Sequence, residues 1–597
     1  MFGRSVLPRG DYYALTWSIP QEFGGLTNVF LHRAKVFATL GKRPVQILTL
    51  APDLDPRASK RRLVRGGLVL KRTKVRNMWD ELGRANDKTL AALGASGQQP
   101  PKPASRALAA NGQRSAELNN DADKLLQVDR FRSTGSRFAS DQKDPKVPGT
   151  PGGRLVTLYA STGEAVASFP SMARLQSAWL DLVIGQRQAF LINDSQFLAD
   201  YVAGYRRPNV VTVQALHNTH LTSVPRTITG ELSKSKAKLI RRTDDYDMVA
   251  VLTEQQHEDL LATALGDDDL RMIPNSRAIP AAPPTAPRRP GDGVMAVRFS
   301  YQKHPQAAVQ AAFRAHAVNP AVHLDLFGKG YEEEKVKALV DELGAHEAVT
   351  LKGYDPRASE RFATASFSLL TSRFEGQGLV LLESMAAGCL PIAFDIRYGP
   401  RDIITDGVNG FLVPAGDVEA MSQVILKVAA MSDEELAPLR AAARARAEEF
   451  ADALILPLWG DELKRALSRK REGRLDAARV TVAGLAASED GLSLELTALS
   501  PSAGSRWHAG WDLAPLPWFG RVRIDGDPAS GARVVFPAQR LAELPAGSAT
   551  LFVDQVVPGD HRRTPLPAPE GFHELETPWG PVREVKGQLV LERRPAS

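Results

Sequence analysis

The sequence predicts an α/β protein of two Rossmann-like, doubly wound domains. A β-containing insertion interrupts the first, and an all-β domain follows the second. Three observations carry this expectation. Strand-like apolar runs alternate with helical spacing over 11–50 and again over 186–275, the pattern of βα units on a parallel sheet. A proline-rich linker containing Pro274, Pro280, Pro283, Pro284, Pro287 and Pro290 precedes a second alternating series that opens at Val294. Beyond about residue 472, short alternating runs broken by Gly, Pro and Asp take over, as in a sandwich or small barrel. The expected domains are therefore 1–54 with 186–275, 55–185 (the insertion), 276–471 and 472–597.

In chain order, Tyr12–Trp17 reads as a strand, Gly24-Gly25-Leu26-Thr27 as a turn, Val29–Leu40 as a helix and Val45–Leu50 as a buried parallel strand. Residues 94–115 and 133–153 are rich in Gly, Pro, Ser, Gln and charge and are expected to be loops or partly disordered, with a helix over 116–131 between them. Leu155–Tyr159 and Ala165–Phe169, joined by Ser161-Thr162-Gly163-Glu164, read as a hairpin. The alternation resumes with a strand at Ala189–Ile192, a helix at Asp194–Val202, and strands at Val210–Leu216 and Met248–Leu252. Strands at Val294–Phe299, Val322–Phe327, Val349–Leu351 and Phe367–Leu370 build the second domain, whose last helix reaches about Ala466. In the tail, Leu492–Leu499, Trp518–Ile524, Ala549–Val553 and Gln588–Glu592 are strand-like. Its Trp507, Trp511 and Trp518 read as core, with sugar stacking the alternative.

Composition narrows the classes. The 597 residues and their apolar and charged fractions fit a soluble globular protein of several domains. The single cysteine, Cys389, excludes an intramolecular disulfide and a cysteine metal cluster, and its place after Ala386-Ala387-Gly388 suggests burial. No run of about 18 apolar residues is present, nor an apolar stretch near the N-terminus that would suit a secretory signal, so a cytoplasmic location is expected. The net charge of +7 is unevenly placed. Arg57, Lys60, Arg61, Arg62, Arg65, Lys71, Arg72, Lys74 and Arg76 form one basic run, and Lys234, Lys236, Lys238, Arg241 and Arg242 a second. Each is either a solvated surface or a track for a polyanion. Without an aromatic-interleaved RNA-binding motif or zinc finger, nucleic acid is not favoured as that polyanion. An anionic membrane surface, as a peripheral contact, stays open.

The chemistry concentrates around Glu375 and Glu383. Phe367–Leu370 runs into Thr371-Ser372-Arg373-Phe374-Glu375-Gly376-Gln377-Gly378, and a helix is expected to open near Leu379. A helix start directs unpaired N–H groups and a positive dipole end at its ligand, which suits a phosphate or pyrophosphate. A hydrolase carboxylate pair would need roughly 5 to 9.5 Å between its carboxyls. Eight residues of continuous helix give about 12 Å, and the turn shortens that by an unknown amount, so spacing leaves the choice open. The bland reading makes Glu375 a solvated loop residue and Glu383 an ordinary helix residue.

Arg373–Gly388 resembles the Glu-x7-Glu signature of the retaining family-four glycosyltransferases. The match continues through Pro391–Ile404 and Asp406–Val413. The Asp395-Ile396-Arg397-Tyr398-Gly399-Pro400 element is similar to the narrower group that glycosylates wall teichoic acids, poly(glycerol- or ribitol-phosphate), and to relatives acting on serine-rich adhesins. The resemblance is strong over about 205–415, patchy over 11–50 and absent after about 470.

It implies a GT-B fold, with the domains facing across a cleft, and a hexosyltransferase. A retaining enzyme of this kind moves glucose or N-acetylglucosamine from a UDP-sugar to a hydroxyl of an anionic polyol-phosphate polymer. A protein serine or a polysaccharide is the alternative acceptor, and a non-catalytic partner subunit of the same fold the alternative of another class. The UDP-sugar is a substrate; no cofactor and no metal are implied, because Arg298 and Lys303 match the cations that hold the donor pyrophosphate. Gly24 and Gly25 match the glycine loop facing the phosphates. His217 matches a contact to the donor sugar, with His220 an open case. Glu375 is assigned to the sugar or its transition state, Glu383 to the ribose hydroxyls, and the backbone of Gly376, Gln377, Gly378 and Leu379 to the phosphates. A β-rich insertion in this family can serve assembly or acceptor binding, so a homo-oligomer stays open.

Overall fold

The computed structural model describes residues 5–21, 24–95, 102, 106–222, 228–282, 284–470, 475, 479–499, 505–525 and 528–594. Pro283 of the expected linker, and most of 96–105, lie outside these. The chain divides into two compact units. One takes in Arg9–Phe23 and Phe30–Thr212, the other Met1–Pro8, Gly24–Val29 and Val213–Ser597.

The smaller unit is built on parallel strands β1 (Asp11–Thr16), β2 (Val45–Thr49), β3 (Val75–Asn77) and, after a five-stranded module, β9 (Ala189–Asn193). Their order is β9-β1-β2-β3, with β1 paired in parallel to both neighbours. All five residues of β9 are buried, as expected for a parallel strand covered on both faces. Helix α1 (Gly25–Thr39) follows β1, and α2 (Pro56–Arg65) lies between β2 and β3. The Asp55 side chain caps α2 by accepting from the N–H groups of Arg57 and Ala58. Because β3 extends the parallel sheet at Val75–Asn77, the sheet continues past residue 55, the expected start of the insertion.

The module itself is an antiparallel sheet of β4 (Ser115–Asn119), β5 (Leu125–Phe131), β6 (Arg137–Gln142), β7 (Leu155–Tyr159) and β8 (Ala165–Phe169), in sequence order. The expected hairpin is β7–β8. The helix expected over 116–131 is instead the β4–β5 pair, and β6 occupies part of the expected loop 133–153. The expected helix at Asp194–Val202 starts later, as a turn of 3-10 helix at Gln196–Leu198 followed by Ala199–Ala203. Asp194 is held by Arg33 in a buried ion pair (2.5 Å), and Asn193 and Ser195 close a turn on each other.

In the larger unit, the last three residues of β10 (Val210–Ala215) pair in parallel with β11 (Met248–Val251), and β11 with β12 (Leu270–Met272). Helix α3 (Glu254–Ala262) follows β11. Six parallel strands form the second sheet: β13 (Asp292–Ala296), β14 (His323–Phe327), β15 (Val349–Gly353), β16 (Phe367–Leu370), β17 (Leu390–Asp395) and β18 (Phe411–Pro414). Their order is β15-β14-β13-β16-β17-β18. Helices α4 (Pro305–Val318) and α5 (Leu379–Ala386) follow β13 and β16, and Leu324, Leu326, Leu370, Leu382 and Ile392 are fully buried between the layers. Cys389 is buried in this domain, and burial pushes its thiol up to about 12.

The tail is all-β apart from a short helix at Ala538–Ala542, with Trp507 and Trp511 buried in its core. An ionic seam joins it to residues 241–269. Arg521, 1% exposed, reaches Asp244 at 2.5 Å and Asp554 at 3.3 Å. Arg241 pairs with Asp512 (2.9 Å), Arg506 with Asp267 (2.6 Å) and His561 with Asp245 (3.0 Å). The second basic run is mostly spent within the fold: Arg241 and Arg242 are ion-paired and Lys236 is buried, while Lys234 and Lys238 are exposed. Among the described residues, no helix is long and apolar enough to cross a membrane.

Candidate active site

The site grows from the end of β16. All four of its residues, Ser368 included, are buried, and the chain leaves the sheet through Thr371 and Ser372, both fully buried. Thr371 Oγ1 donates to the carbonyls of His304 (2.9 Å) and Lys303 (3.2 Å), and the Arg373 N–H to Gln302 O (2.7 Å). These bonds bind the turn to the loop between β13 and α4. Glu375, 6% exposed, lies where the two meet. Its Oε1 accepts from Ser372 Oγ (2.7 Å) and forms an ion pair with Lys303 Nζ, while Gln302 Nε2 lies 3.4 Å from Oε2. A carboxylate so buried is stabilised by its cation and hydroxyl partners.

Gly378 follows in the left-handed region (φ 81°) and opens α5, with no side chain capping the helix. The N–H groups of Gly376, Gln377, Gly378, Leu379 and Val380 find no acceptor among the described residues. Five consecutive free amides at a helix start are a ready anion site. Gly376 also lies directly against the strand end that carries His217: a Cβ there would stand 2.1 Å from His217 O. His217 itself is half-buried. The Gln377 side chain is spent on the chain before β13, its Oε1 accepting from Asn275 N (2.9 Å), so only its backbone is offered to a ligand.

Glu383 stands one turn into α5, half-buried, with Oε1 accepting from Arg277 Nε at 2.9 Å. Arg277 is held in turn through its backbone N–H to Phe450 O. Lys303 is half-buried, and Arg298 is exposed between two backbone ties, Val297 N to Phe327 O and Phe299 N to Lys329 O. No described atom lies within 4 Å of a Cβ built at Gly24 or Gly25, and neither has a positive φ. Packing in this chain therefore does not demand glycine there, whereas close approach of a ligand would.

His220 is not a ligand-facing residue. It is fully buried, stacks on Tyr398 (centroids 6.0 Å apart, planes at 16°), and neither ring nitrogen has a hydrogen-bond partner. Burial, with the nearby charges of Lys236 and Arg397, holds its pKa down at about 3. The Asp395–Pro400 element and the residues after it are tied to α3: Arg397 pairs with Asp259 (2.5 Å), and Asp402 Oδ1 caps α3 by accepting from Glu254 N (2.7 Å). Sequence reading missed Arg277, which sits in the proline-rich linker without periodicity to mark it. It also missed Gln302, whose one signal was its place beside Lys303. Among the described residues, no three His, Cys, Asp or Glu side chains are grouped to hold a metal ion.

With its two doubly wound sheets and separate β-rich tail, the chain has the GT-B fold of glycosyltransferases, and residues 287–449 match the family described as glycosyl transferases group 1. Among curated proteins, the chain is 24% identical over 491 residues to a poly(glycerol-phosphate) alpha-glucosyltransferase of Bacillus subtilis (strain 168), covering 72% of this chain and 71% of the relative. It is 28% identical over 200 residues to a poly(ribitol-phosphate) alpha-N-acetylglucosaminyltransferase of Staphylococcus aureus (strain COL), covering 34% and 40%. Among solved structures, it resembles a variant of S. aureus TarM in complex with fondaparinux, alpha-GlcNAc-glycerol and UDP. The TM-score is 0.58 at 19% identity, over 76% of this chain and 100% of that one.

Proposed function

We propose that the protein is a retaining hexosyltransferase moving glucose or N-acetylglucosamine from a UDP-sugar to a hydroxyl of a polyol-phosphate polymer. The observation that carries this is the row of five free amides from Gly376 to Val380, set beside the Lys303–Glu375 pair. The amides and Lys303, with Arg298, take the donor pyrophosphate. Glu383, oriented by Arg277, takes the ribose hydroxyls. His217 and Glu375 line the sugar. The acceptor class follows the named activities of the two curated relatives.

The reaction is same-face substitution. The bond from the anomeric carbon to the β-phosphate oxygen breaks, the acceptor oxygen bonds to that carbon, and the acceptor proton passes to the leaving phosphate. Glu375 and Lys303 act on the charges that develop, cationic at the sugar and anionic at the phosphate. Fixed cations neutralise the leaving group, so turnover is expected to survive EDTA. On the acceptor side, Arg57, Arg61 and Arg65 are exposed at i, i+4 and i+8 on α2, a single stripe. Arg62 and Arg72 are instead bound to carbonyls, and Arg76 to Glu81. The test is UDP release from UDP-glucose and UDP-N-acetylglucosamine, with and without poly(glycerol phosphate). Polymer-dependent release is expected; no release from either donor would overturn the reading.

A further inference from the structure

An exposed aromatic pair stands at the carboxyl edge of the first sheet. Trp17 directly follows β1, and Phe197 stands on the 3-10 turn after β9. Their rings meet edge to face with centroids 4.9 Å apart. Phe197 is 74% exposed and Trp17 half-buried. Both stems are fixed. Trp17 O accepts from Leu50 N (3.1 Å) and Ala51 N (2.8 Å) at the end of β2, and Asn193 Nδ2 donates to Ser195 O (2.8 Å) in the turn before Phe197. Arg62 of α2 donates to the carbonyls of Ile19 (3.2 Å) and Pro20 (2.6 Å), tying the basic helix to the loop that carries Trp17. Since β1 lies between β9 and β2, rings and basic helix share one sheet edge. Open α/β sheets bind ligands outside the carboxyl ends of their strands.

We propose that Trp17 and Phe197 form an acceptor platform, on which the polyol segment of a polyol-phosphate chain packs while its phosphates meet the Arg57, Arg61 and Arg65 stripe. The inference rests on the transferase reading and names where its acceptor is held. The chemistry fits in both parts. Polyol C–H groups pack on ring faces while the hydroxyls keep their water. Cations one helical turn apart, about 6 Å along the axis, meet a chain of regularly spaced phosphates. A basic stripe alone would take any polyanion; the rings add a preference for one with uncharged carbon segments between its charges.

The test uses the full-length protein and purified poly(glycerol phosphate). Polymer affinity is measured by calorimetry, and acceptor and donor KM with UDP-glucose, for Trp17→Ala, Phe197→Ala and the conservative pair Trp17→Phe and Phe197→Tyr. Each alanine variant should weaken polymer binding and raise acceptor KM about tenfold, with donor KM moved less than twofold and the conservative variants close to wild type. Unchanged polymer affinity in both alanine variants would overturn the platform, as would a single-stranded oligonucleotide outcompeting the polymer for wild type. The binding arm needs no turnover. A wild type that binds polymer at these residues but releases no UDP would keep the platform and overturn the transferase reading.

Discussion

At the scale of single residues, the two glutamates are held by different cations, and that separates their roles. Glu375 is buried against Lys303 and Ser372, whereas Glu383 is half-buried and shares one oxygen with Arg277. Glu375→Gln weakens a contact that strengthens as the sugar becomes cationic, so kcat should fall with donor KM little changed. Glu383→Gln and Arg277→Ala should instead raise donor KM in parallel, because they grip the ribose in ground and transition states alike. Steady-state kinetics in UDP-glucose checks this; equal kcat losses in all three variants would sink the division. Lys303→Ala should lower turnover by roughly 100-fold.

His220 gives a prediction of another kind. Its folded pKa of about 3 lies below the ordinary histidine value, so the stability gained by keeping it neutral is complete above about pH 6.5 and is lost as pH falls towards 3. At pH 5 the loss is about 2 kcal/mol. Thermal melts of wild type and His220→Phe from pH 7.5 to 4.5 should show the wild type losing more; parallel melting curves would contradict the assignment.

At the scale of elements, the ionic seam between the tail and residues 241–269 should be expensive to break. Arg521→Ala leaves the buried Asp244 carboxylate without its cation, while Asp554 keeps Arg563 at 2.8 Å. The expected cost is about 3–5 kcal/mol, read from urea denaturation; a change below about 1 kcal/mol would mean that water reaches the pair. Elements were legible where their hydrophobic period was clean. The all-buried β9 and β16 and the opening of α5 at Leu379 fall where the sequence places them. The module at 115–142 was not legible, because β5 and β6 are buried on both faces and polar residues alternate there with Leu126, Val128, Phe138 and Ala139. Gln127, Asp129, Ser140, Asp141 and Gln142 are all buried, with Asp129 satisfied by Gln127 and Arg137, and Asp141 by Arg154. Buried polar residues satisfied by arginines of neighbouring segments hide the strands from a hydrophobicity pattern.

At the scale of the whole molecule, the site was legible as a motif but not as a set of partners. Glu375, Glu383 and Lys303 were named from spacing and resemblance, and Lys303 does meet Glu375. Arg277 was not named, and Ser372 was read only as part of the turn, because their contacts with Glu383 and Glu375 come from long-range packing and turn geometry. The basic runs looked alike in sequence and differ in the fold: one keeps an exposed stripe on α2, while in the other Arg241 and Arg242 are consumed by ion pairs. The central claim is retaining transfer to a polyol-phosphate without metal, and one measurement addresses it directly. Full-length protein is incubated with UDP-glucose and poly(glycerol phosphate) in EDTA, and the anomeric proton signals are followed by NMR. The account predicts polymer-dependent loss of UDP-glucose and growth of an α-linked glucosyl signal on the polymer. A β-linked product, or turnover that appears only when a divalent ion is restored, would contradict it.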